Sequence, residues 1–197
     1  GYFDTDSDGY GGKIYLFNRG SSTPIWKYEV GGHCDSMDFS ADGKYLTVGC
    51  DYGDGHLYLF DLDGFVWKFH MNGGVTGSSD VFAVDISEDG KYIVAGVDWG
   101  NDDVERLRFF SIDSNQSLWT YTPDNGKSTY DGQNVVGVSL SADGRYITTK
   151  DSLGFTTVFE NSLATRPSVI PYGPSYDYNL TVKSTTLRWF AGSDDRA

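Results

Sequence analysis

The sequence predicts an all-β fold built from a repeated four-stranded unit, and three observations lead to this prediction. Aromatic residues make up 16% of the 197 residues, and together with many Val, Thr and Ile residues they suit half-buried strands. No stretch keeps a 3.6-residue apolar period over more than two turns, so no helix is expected. A strand–turn–strand pattern recurs along the chain, and it sets the architecture.

The recurring pattern is a hairpin with an Asp-Gly turn. Each copy alternates apolar and polar residues on both sides of the turn, where Gly readily adopts the positive φ that a tight turn requires. Successive copies lie about fifty residues apart. The three copies are MDFSADGKYLTVG (37–49), VDISEDGKYIVAG (84–96) and VSLSADGRYITTK (138–150).

Two further short strands are expected beside each hairpin. Third strands end near a Phe, in KIYLFN (13–18), HLYLFD (56–61), RLRFFS (106–111) and FTTVFE (155–160). Fourth strands carry a Trp, in PIWKYEV (24–30), FVWKFHM (65–71) and SLWTYTP (117–123). Four short strands in about fifty residues match a β-propeller blade. We therefore predict about four blades of four antiparallel strands, the first one partial, either as a fragment of a larger propeller or completed by neighbouring chains.

The chain is predicted to have three segments. Residues 1–165 hold the propeller repeats, a partial blade followed by three blades. Residues 166–179 contain three of the five prolines and are expected to form a linker. Residues 180–197 predict a strand, which either opens an immunoglobulin-like domain or packs on the last blade. Because the chain starts at Gly1 rather than Met, we expect a processed or excised piece.

The repeats resemble two propeller families. The S-x-D-G-K/R-Y hairpin, the Asp-led loop after it and the aromatic-Asp or aromatic-Asn ending (59–61 and 16–18) resemble WD40 blades. The Trp in DLDGFVWKF (61–69) is more similar to quinoprotein dehydrogenase-like propellers. Only Gly32-His33 matches the WD40 Gly-His dipeptide, and only Phe60-Asp61 keeps the terminal Asp. The resemblance covers about residues 1–165 and implies a fold rather than one activity, because propellers host many functions.

Cys34 and Cys50 are the two cysteines, and we predict a disulfide between them. Counted outward from the turn at Asp42, they fall opposite each other on paired strands. Opposed strand residues have Cβ atoms about 4.5–5.5 Å apart, close to disulfide geometry. The alternative is a pair of buried free thiols, which pack as small apolar groups.

Compartment is indicated by the cysteines together with two glycosylation sequons. The sequons are Asn115-Gln116-Ser117 and Asn179-Leu180-Thr181. A disulfide forms in an oxidising compartment. With the acidic net charge, these features favour an extracellular or cell-surface protein.

The segment DTDSDGYGG (4–12) is the candidate metal site. Asp4, Asp6 and Asp8 followed by Gly9 form the opening of a calcium loop, D-x-D-x-D-G. An EF-hand is excluded, because Tyr15 stands where that loop has Glu and strands flank the segment. Two interpretations stay open, a structural calcium site and a solvated acidic turn.

Every loop between a second and a third strand begins with an aspartate. The positions are Asp4, Asp51, Asp98 and Asp151. The expected role is an Asx turn, in which the carboxylate accepts hydrogen bonds from nearby backbone amides. A second acidic loop, DWGNDDVERLR (98–108), holds Asp98, Asp102 and Asp103, and we expect Arg106 and Arg108 to neutralise it as a surface or binding loop.

The net charge and the spacing of motifs argue against several classes of function. The net charge of −13 and pI near 4.4 argue against nucleic acid and anionic lipid, and no run of 18 apolar residues predicts a membrane span. His33, His56 and His70 lack metalloenzyme spacing, no G-x-S-x-G motif occurs, and no catalytic residue is predicted.

Two functions are compatible with these patterns. The first is a non-catalytic extracellular module for adhesion, envelope structure or fibre assembly, which binds a protein or glycan partner or self-assembles through blade edges. The alternative is a portion of a propeller enzyme, such as a quinoprotein-like dehydrogenase or a lactonase. No cofactor other than structural calcium is expected.

Overall fold

The computed structural model of the chain describes residues 11–51, 53–71, 80–98, 105–122, 134–161 and 168–170. These residues form antiparallel sheets joined by turns, and no helix occurs among them. The prediction of an all-β fold made of four-stranded blades is confirmed.

The described strands form four sheets. Sheet A consists of β1 (Gly12–Phe17) and β2 (Pro24–Val30). Sheet B consists of β3 (Cys34–Phe39), β4 (Tyr45–Cys50), β5 (His56–Asp61) and β6 (Gly64–His70). Sheet C consists of β7 (Asp80–Ile86), β8 (Tyr92–Asp98), β9 (Leu107–Ser111) and β10 (Ser117–Tyr121). Sheet D consists of β11 (Val135–Leu140), β12 (Tyr146–Asp151), β13 (Thr156–Glu160) and β14 (Ser168–Ile170).

Strands follow chain order within every sheet, so each connection is a local antiparallel one. The three predicted Asp-Gly hairpins are β3–β4, β7–β8 and β11–β12. The last strand, β14, falls inside residues 166–179, the segment assigned above to a linker. The domain boundaries otherwise stay predictions, since residues 171–197 lie outside the described residues.

One side-chain network closes all three hairpin turns. In each, a Ser hydroxyl donates a hydrogen bond of 2.8 Å to an Asp carboxylate, which also accepts from the backbone N–H two residues later. The following Gly has a φ of 67–69°, a conformation that glycine adopts without strain. The three Ser-Asp-Gly sets are Ser40-Asp42-Gly43, Ser87-Asp89-Gly90 and Ser141-Asp143-Gly144.

The repeated Trp and Phe residues join neighbouring sheets. Trp67 of β6 packs on Phe110 of sheet C, with ring centres 5.8 Å apart, and its Nε1 donates to the carbonyl of Ile112 at 2.9 Å. Trp119 of β10 packs in the same way on Phe159 of sheet D. Aromatic pairs of this kind add about 0.5–1.5 kcal/mol beyond the area they bury. The sheets therefore stack face to face, A on B on C on D, with an apolar core at each of the three interfaces.

Candidate interaction surface

The innermost strands are tied together by side chains that reach from one sheet to the next. Asp38 of β3 accepts a hydrogen bond from the backbone N–H of Ile86, at 3.1 Å. At the equivalent position of β7, Asp85 accepts one from the N–H of Leu140, at 2.6 Å. Each carboxylate thus satisfies an amide on the inner strand of the following sheet, which fixes the spacing and register of adjacent sheets.

The environment of Asp85 is unfavourable for its charge. The pKa of Asp85 is raised to about 6, first by burial and then by the hydrogen bond with the Asp38 carboxyl and the charge of that group, while the Leu140 amide opposes the shift. Two carboxyl groups in hydrogen-bond contact cannot both ionise freely. The inner strands therefore carry two carboxyl groups that interact with each other, and each also accepts an amide hydrogen bond from the next sheet.

The N-terminal side of sheet B leaves large apolar side chains uncovered. Val84 and Ile86 of β7 face sheet B and are only 7% and 4% exposed. The residues at the same two positions of β3 are Met37 and Phe39, which are 38% and 48% exposed. These two positions of the repeat are therefore buried in sheet C and exposed in sheet B.

This exposure follows from the width of sheet A. Its two strands pack over β4 and β5 of sheet B, where Leu46, Val48 and Phe60 are buried. Among the residues that the structure describes, β1 pairs only with β2, and sheet A reaches β3 at Cys34 but leaves Met37 and Phe39 exposed. We call the surface formed by Met37, Phe39 and the inner edge of β1 the N-terminal face.

The opposite end of the stack has a different chemistry. The side of sheet D that faces away from sheet C has exposed polar residues where sheet C has apolar ones. Thr148 stands in the place of Val94, and Lys150 in the place of Gly96. In β13, the exposed Thr156 occupies the position that Leu107 holds in β9. We call this side, with Ser139 of β11, the C-terminal face.

The change from Gly96 to Lys150 has a direct steric meaning. A Cβ on Gly96 would lie 2.6 Å from Cγ1 of Val135 and 2.9 Å from its carbonyl oxygen, because β11 passes against this glycine. Gly49 stands in the same relation to Val81 of β7. A lysine at this position prevents a further inner strand from approaching in the same way.

An acidic cluster lies where the inner strands begin. The pKa of Asp51 is raised to about 7, first by burial, then by the hydrogen bond with Asp35 and by the charges of Asp35 and Asp80. The His33 imidazole, with its Nδ1 3.9 Å from Asp51 Oδ1, opposes them. Asp35 is the extra residue of a β-bulge in β3, and bulges re-aim side chains at sheet ends.

The Asx-turn prediction holds in sheet D but not in sheet B. Asp151 accepts hydrogen bonds from the amides of Leu153 and Phe155, at 3.0 and 2.8 Å, and is buried. Asp51 makes no such hydrogen bond in the described structure, and its Oδ1 is buried without a hydrogen-bond partner there. It meets Asp35 instead, so the two equivalent aspartates have opposite electrostatic roles.

The two cysteines lie directly opposite each other, since Cys34 pairs with Cys50 across β3 and β4. Both are buried and both carry free thiols in this structure. The pKa of Cys50 is raised, first by the hydrogen bond with Cys34 and second by burial. The predicted proximity is therefore present, and the disulfide stays a prediction.

The remaining predicted site residues are only partly described. The candidate calcium ligands Asp4, Asp6 and Asp8 lie outside the described residues, as does the sequon residue Asn179. Asn115 is exposed in the turn before β10, and its side-chain amide lies 3.5 Å from the Lys68 carbonyl.

The acidic loop at 98–108 differs in part from its prediction. Asp102 and Asp103 lie outside the described residues, as does the side chain of Asp98. Arg108 pairs with Glu105 at 2.6 Å and stacks over the Phe69 ring, and Arg106 is buried. Arg108 is thus neutralised by a residue that the sequence reasoning had not named.

Sequence reasoning missed Asp38 and Asp85 and the exposed pair Met37 and Phe39. A comparison of the three hairpins contains the signal, because the residue two before each turn serine is Asp, Asp and then Ser. These positions matter because they differ between the three hairpins, whereas the repeat is recognised by what the hairpins share.

Neither a metal-binding cluster of side chains nor a membrane-spanning helix occurs among the described residues. They contain no group of three or more His, Cys, Asp or Glu side chains arranged to hold a metal ion. None of them forms a helix with the length and hydrophobicity needed to cross a membrane.

Comparison with known families gives one match. The WD domain, G-beta repeat (WD40) model matches residues 23–61. This range runs from β2 through β5, so the sequence repeat joins the last strand of one sheet to the first three of the next. No curated protein matches the chain significantly. The chain thus carries a WD40-like repeat in a propeller-type stack, and WD40 domains generally bind protein partners.

Proposed function

We propose that this chain is a non-catalytic module of an extracellular structural or adhesive assembly, and that its N-terminal face binds blade-forming strands of a partner protein. The observation that carries this proposal is the exposure of Met37 and Phe39 at positions where Val84 and Ile86 are buried. Side chains of this size gain about 1.5–3 kcal/mol when fully buried, so covering this face is favourable.

The expected partner segment is a hairpin that adds to the inner edge of β1. Such an addition would add two strands to the two that the structure describes in sheet A and would place apolar side chains over β3. By analogy with Asp38 and Asp85, its inner strand would present a carboxylate to the backbone N–H of Phe39. Its second strand would carry a glycine opposite Cys34, as Gly49 lies against Val81.

The chain itself supplies the probe for this proposal and the matched control. A fluorescein-labelled peptide of residues 81–97 contains Asp85 and Gly96, the two features that serve a following sheet. A peptide of residues 135–151 has Ser139 and Lys150 at these positions. Fluorescence anisotropy should show saturable binding of the first peptide to the intact chain and none of the second.

Two variants locate the binding. Phe39→Ser should abolish binding of the 81–97 peptide, whereas Phe155→Ser, which removes an exposed Phe in the turn before β13, should leave it unchanged. Light scattering at two protein concentrations shows whether a second copy of the chain is the partner. Equal binding of both peptides, or full binding by Phe39→Ser, would overturn the proposal.

The extracellular setting rests on Cys34 and Cys50, which face each other in a buried pair. Paired strand residues are close to disulfide geometry. We expect the protein purified under non-reducing conditions to have no titratable thiol after denaturation. Two thiols per chain in material from an oxidising compartment would contradict this assignment.

A further inference from the structure

Two histidines form a cross-strand pair on the outer half of sheet B. His56 of β5 is directly opposite His70 of β6. Their ring centres are 4.7 Å apart, and the rings are nearly perpendicular, with an interplanar angle of 80°. Both side chains are only partly buried, so solvent reaches the pair.

A buried carboxylate orients one of the two rings. Asp54 lies 2.7 Å from Nδ1 of His56 and is itself held by the hydroxyl of Tyr58, which donates to both carboxylate oxygens at 3.1 and 2.9 Å. Because a carboxylate accepts hydrogen bonds, Nδ1 of His56 carries the proton and Nε2 keeps its lone pair. A carboxylate on one ring nitrogen is the usual second-shell arrangement of a metal-binding histidine.

The spacing of the rings suits a shared metal ion. A Zn²⁺ ion bound about 2.1 Å from a ring nitrogen lies roughly 3.2 Å from the ring centre. Two such rings at bond angles between roughly 90° and 110° then have centres about 4.5–5.2 Å apart. The observed separation falls in this range.

We propose that His56 and His70 bind one divalent transition-metal ion of the zinc–copper class, each through an imidazole nitrogen, with Asp54 holding His56 in position. Water molecules complete the coordination shell. The site is distinct from the acidic segment 4–12, because imidazoles prefer transition metals and carboxylates prefer calcium.

The third histidine provides a matched control. Calorimetric titration of the intact chain with Zn²⁺, in excess Ca²⁺ to occupy acidic loops, should give one site. His56→Gln and His70→Gln should each weaken it at least tenfold, and His33→Gln should leave it unchanged. Asp54→Asn should weaken Zn²⁺ binding by about 10–100-fold, the usual effect of removing a second-shell carboxylate.

The melting temperature provides a second test of Zn²⁺ binding, and it can be measured on the wild-type chain as well as on the variants. Bound Zn²⁺ should raise the melting temperature of the wild-type chain and of His33→Gln, but not that of His70→Gln. His70 is on the outermost strand of its sheet, so the fold of this variant can be verified by circular dichroism without metal. Absence of Zn²⁺ binding by the wild-type chain, or wild-type affinity in both His56→Gln and His70→Gln, would overturn the proposal.

Discussion

The two ends of the stack are built from the same repeat and differ in what they can contact. At the N-terminal face, the repeat positions keep apolar residues, Met37 and Phe39, which none of the described strands covers fully. At the C-terminal face, the corresponding core positions have become Thr148, Lys150 and Thr156. The first face has the composition of an unfinished interface, and the second that of a solvated surface.

The difference teaches where a propeller-type stack continues and where it stops. Continuation needs an apolar face, a glycine that lets the next inner strand approach, and an inner carboxylate that accepts an amide hydrogen bond. Sheet C has all three, in Phe109, Gly96 and Asp85. At the same positions sheet D has Val158, Lys150 and Ser139, so it keeps an apolar residue at the first position but lacks the glycine and the carboxylate. The stack is therefore directional, which limits association by simple head-to-tail addition.

The largest expected effect comes from introducing the lysine of the C-terminal face at the equivalent position of sheet C, which is closely packed. Gly96→Lys should lower the free energy of unfolding by about 3 kcal/mol, because its side chain meets Val135 at the closely packed interface of sheets C and D. The reverse change, Lys150→Gly, should cost less than about 1 kcal/mol, since it affects only strand entropy. Urea unfolding of both variants measures the two values. Similar losses in both would show that the two positions are not in different environments.

A second comparison uses equivalent side chains on β7 and β3. Ile86→Ala should lower the free energy of unfolding by about 3 kcal/mol, because it leaves a cavity between sheets B and C. Phe39→Ala removes more atoms, yet it should cost less than about 1 kcal/mol in the isolated chain, because half of the side chain is already in water.

Urea unfolding of Ile86→Ala and Phe39→Ala at two protein concentrations tests this comparison. A large loss in Phe39→Ala at low protein concentration would mean that other parts of the chain already cover the N-terminal face. A loss that appears only at high concentration would instead indicate association between copies.

Much of the fold could be predicted from the sequence because the repeat is local. The hairpins at Asp42, Asp89 and Asp143, the alternation of their strands and the Trp and Phe positions all depend on residues close in the chain. The opposition of Cys34 and Cys50 follows from counting outward from a single turn.

The interaction surface could not be predicted in this way, because it depends on which sheet faces which. Asp38 and Asp85 act on amides of the following repeat, about fifty residues away. Likewise, the apolar character of Phe39 says nothing about whether another strand covers it. The paired histidines have no metal-binding spacing in the sequence, because only the register of β5 and β6 brings them together.

A third comparison concerns two equivalent aspartates and starts from the pH dependence of Asp51. The folded-state pKa of Asp51 is raised to about 7, so the unfolded chain releases this proton first as the pH rises. Its contribution to stability is therefore lost progressively between about pH 4 and pH 7. Asp51→Asn should melt higher than the wild type at pH 8, and this difference should vanish near pH 4.

Asp151 is the matched comparison for this measurement. Its carboxylate accepts hydrogen bonds from the amides of Leu153 and Phe155, so Asp151→Ala should cost about 1 kcal/mol of stability at pH 8. Thermal melts of both variants at pH 4 and pH 8 test the pair. If Asp51→Asn melts lower than the wild type at pH 8, the carboxylate of Asp51 stabilises the fold, and the cluster with Asp35 and Asp80 must then be relieved by a bound cation. If Asp51→Asn melts higher than the wild type at pH 8, repulsion between the carboxyl groups of Asp35, Asp51 and Asp80 destabilises the folded chain.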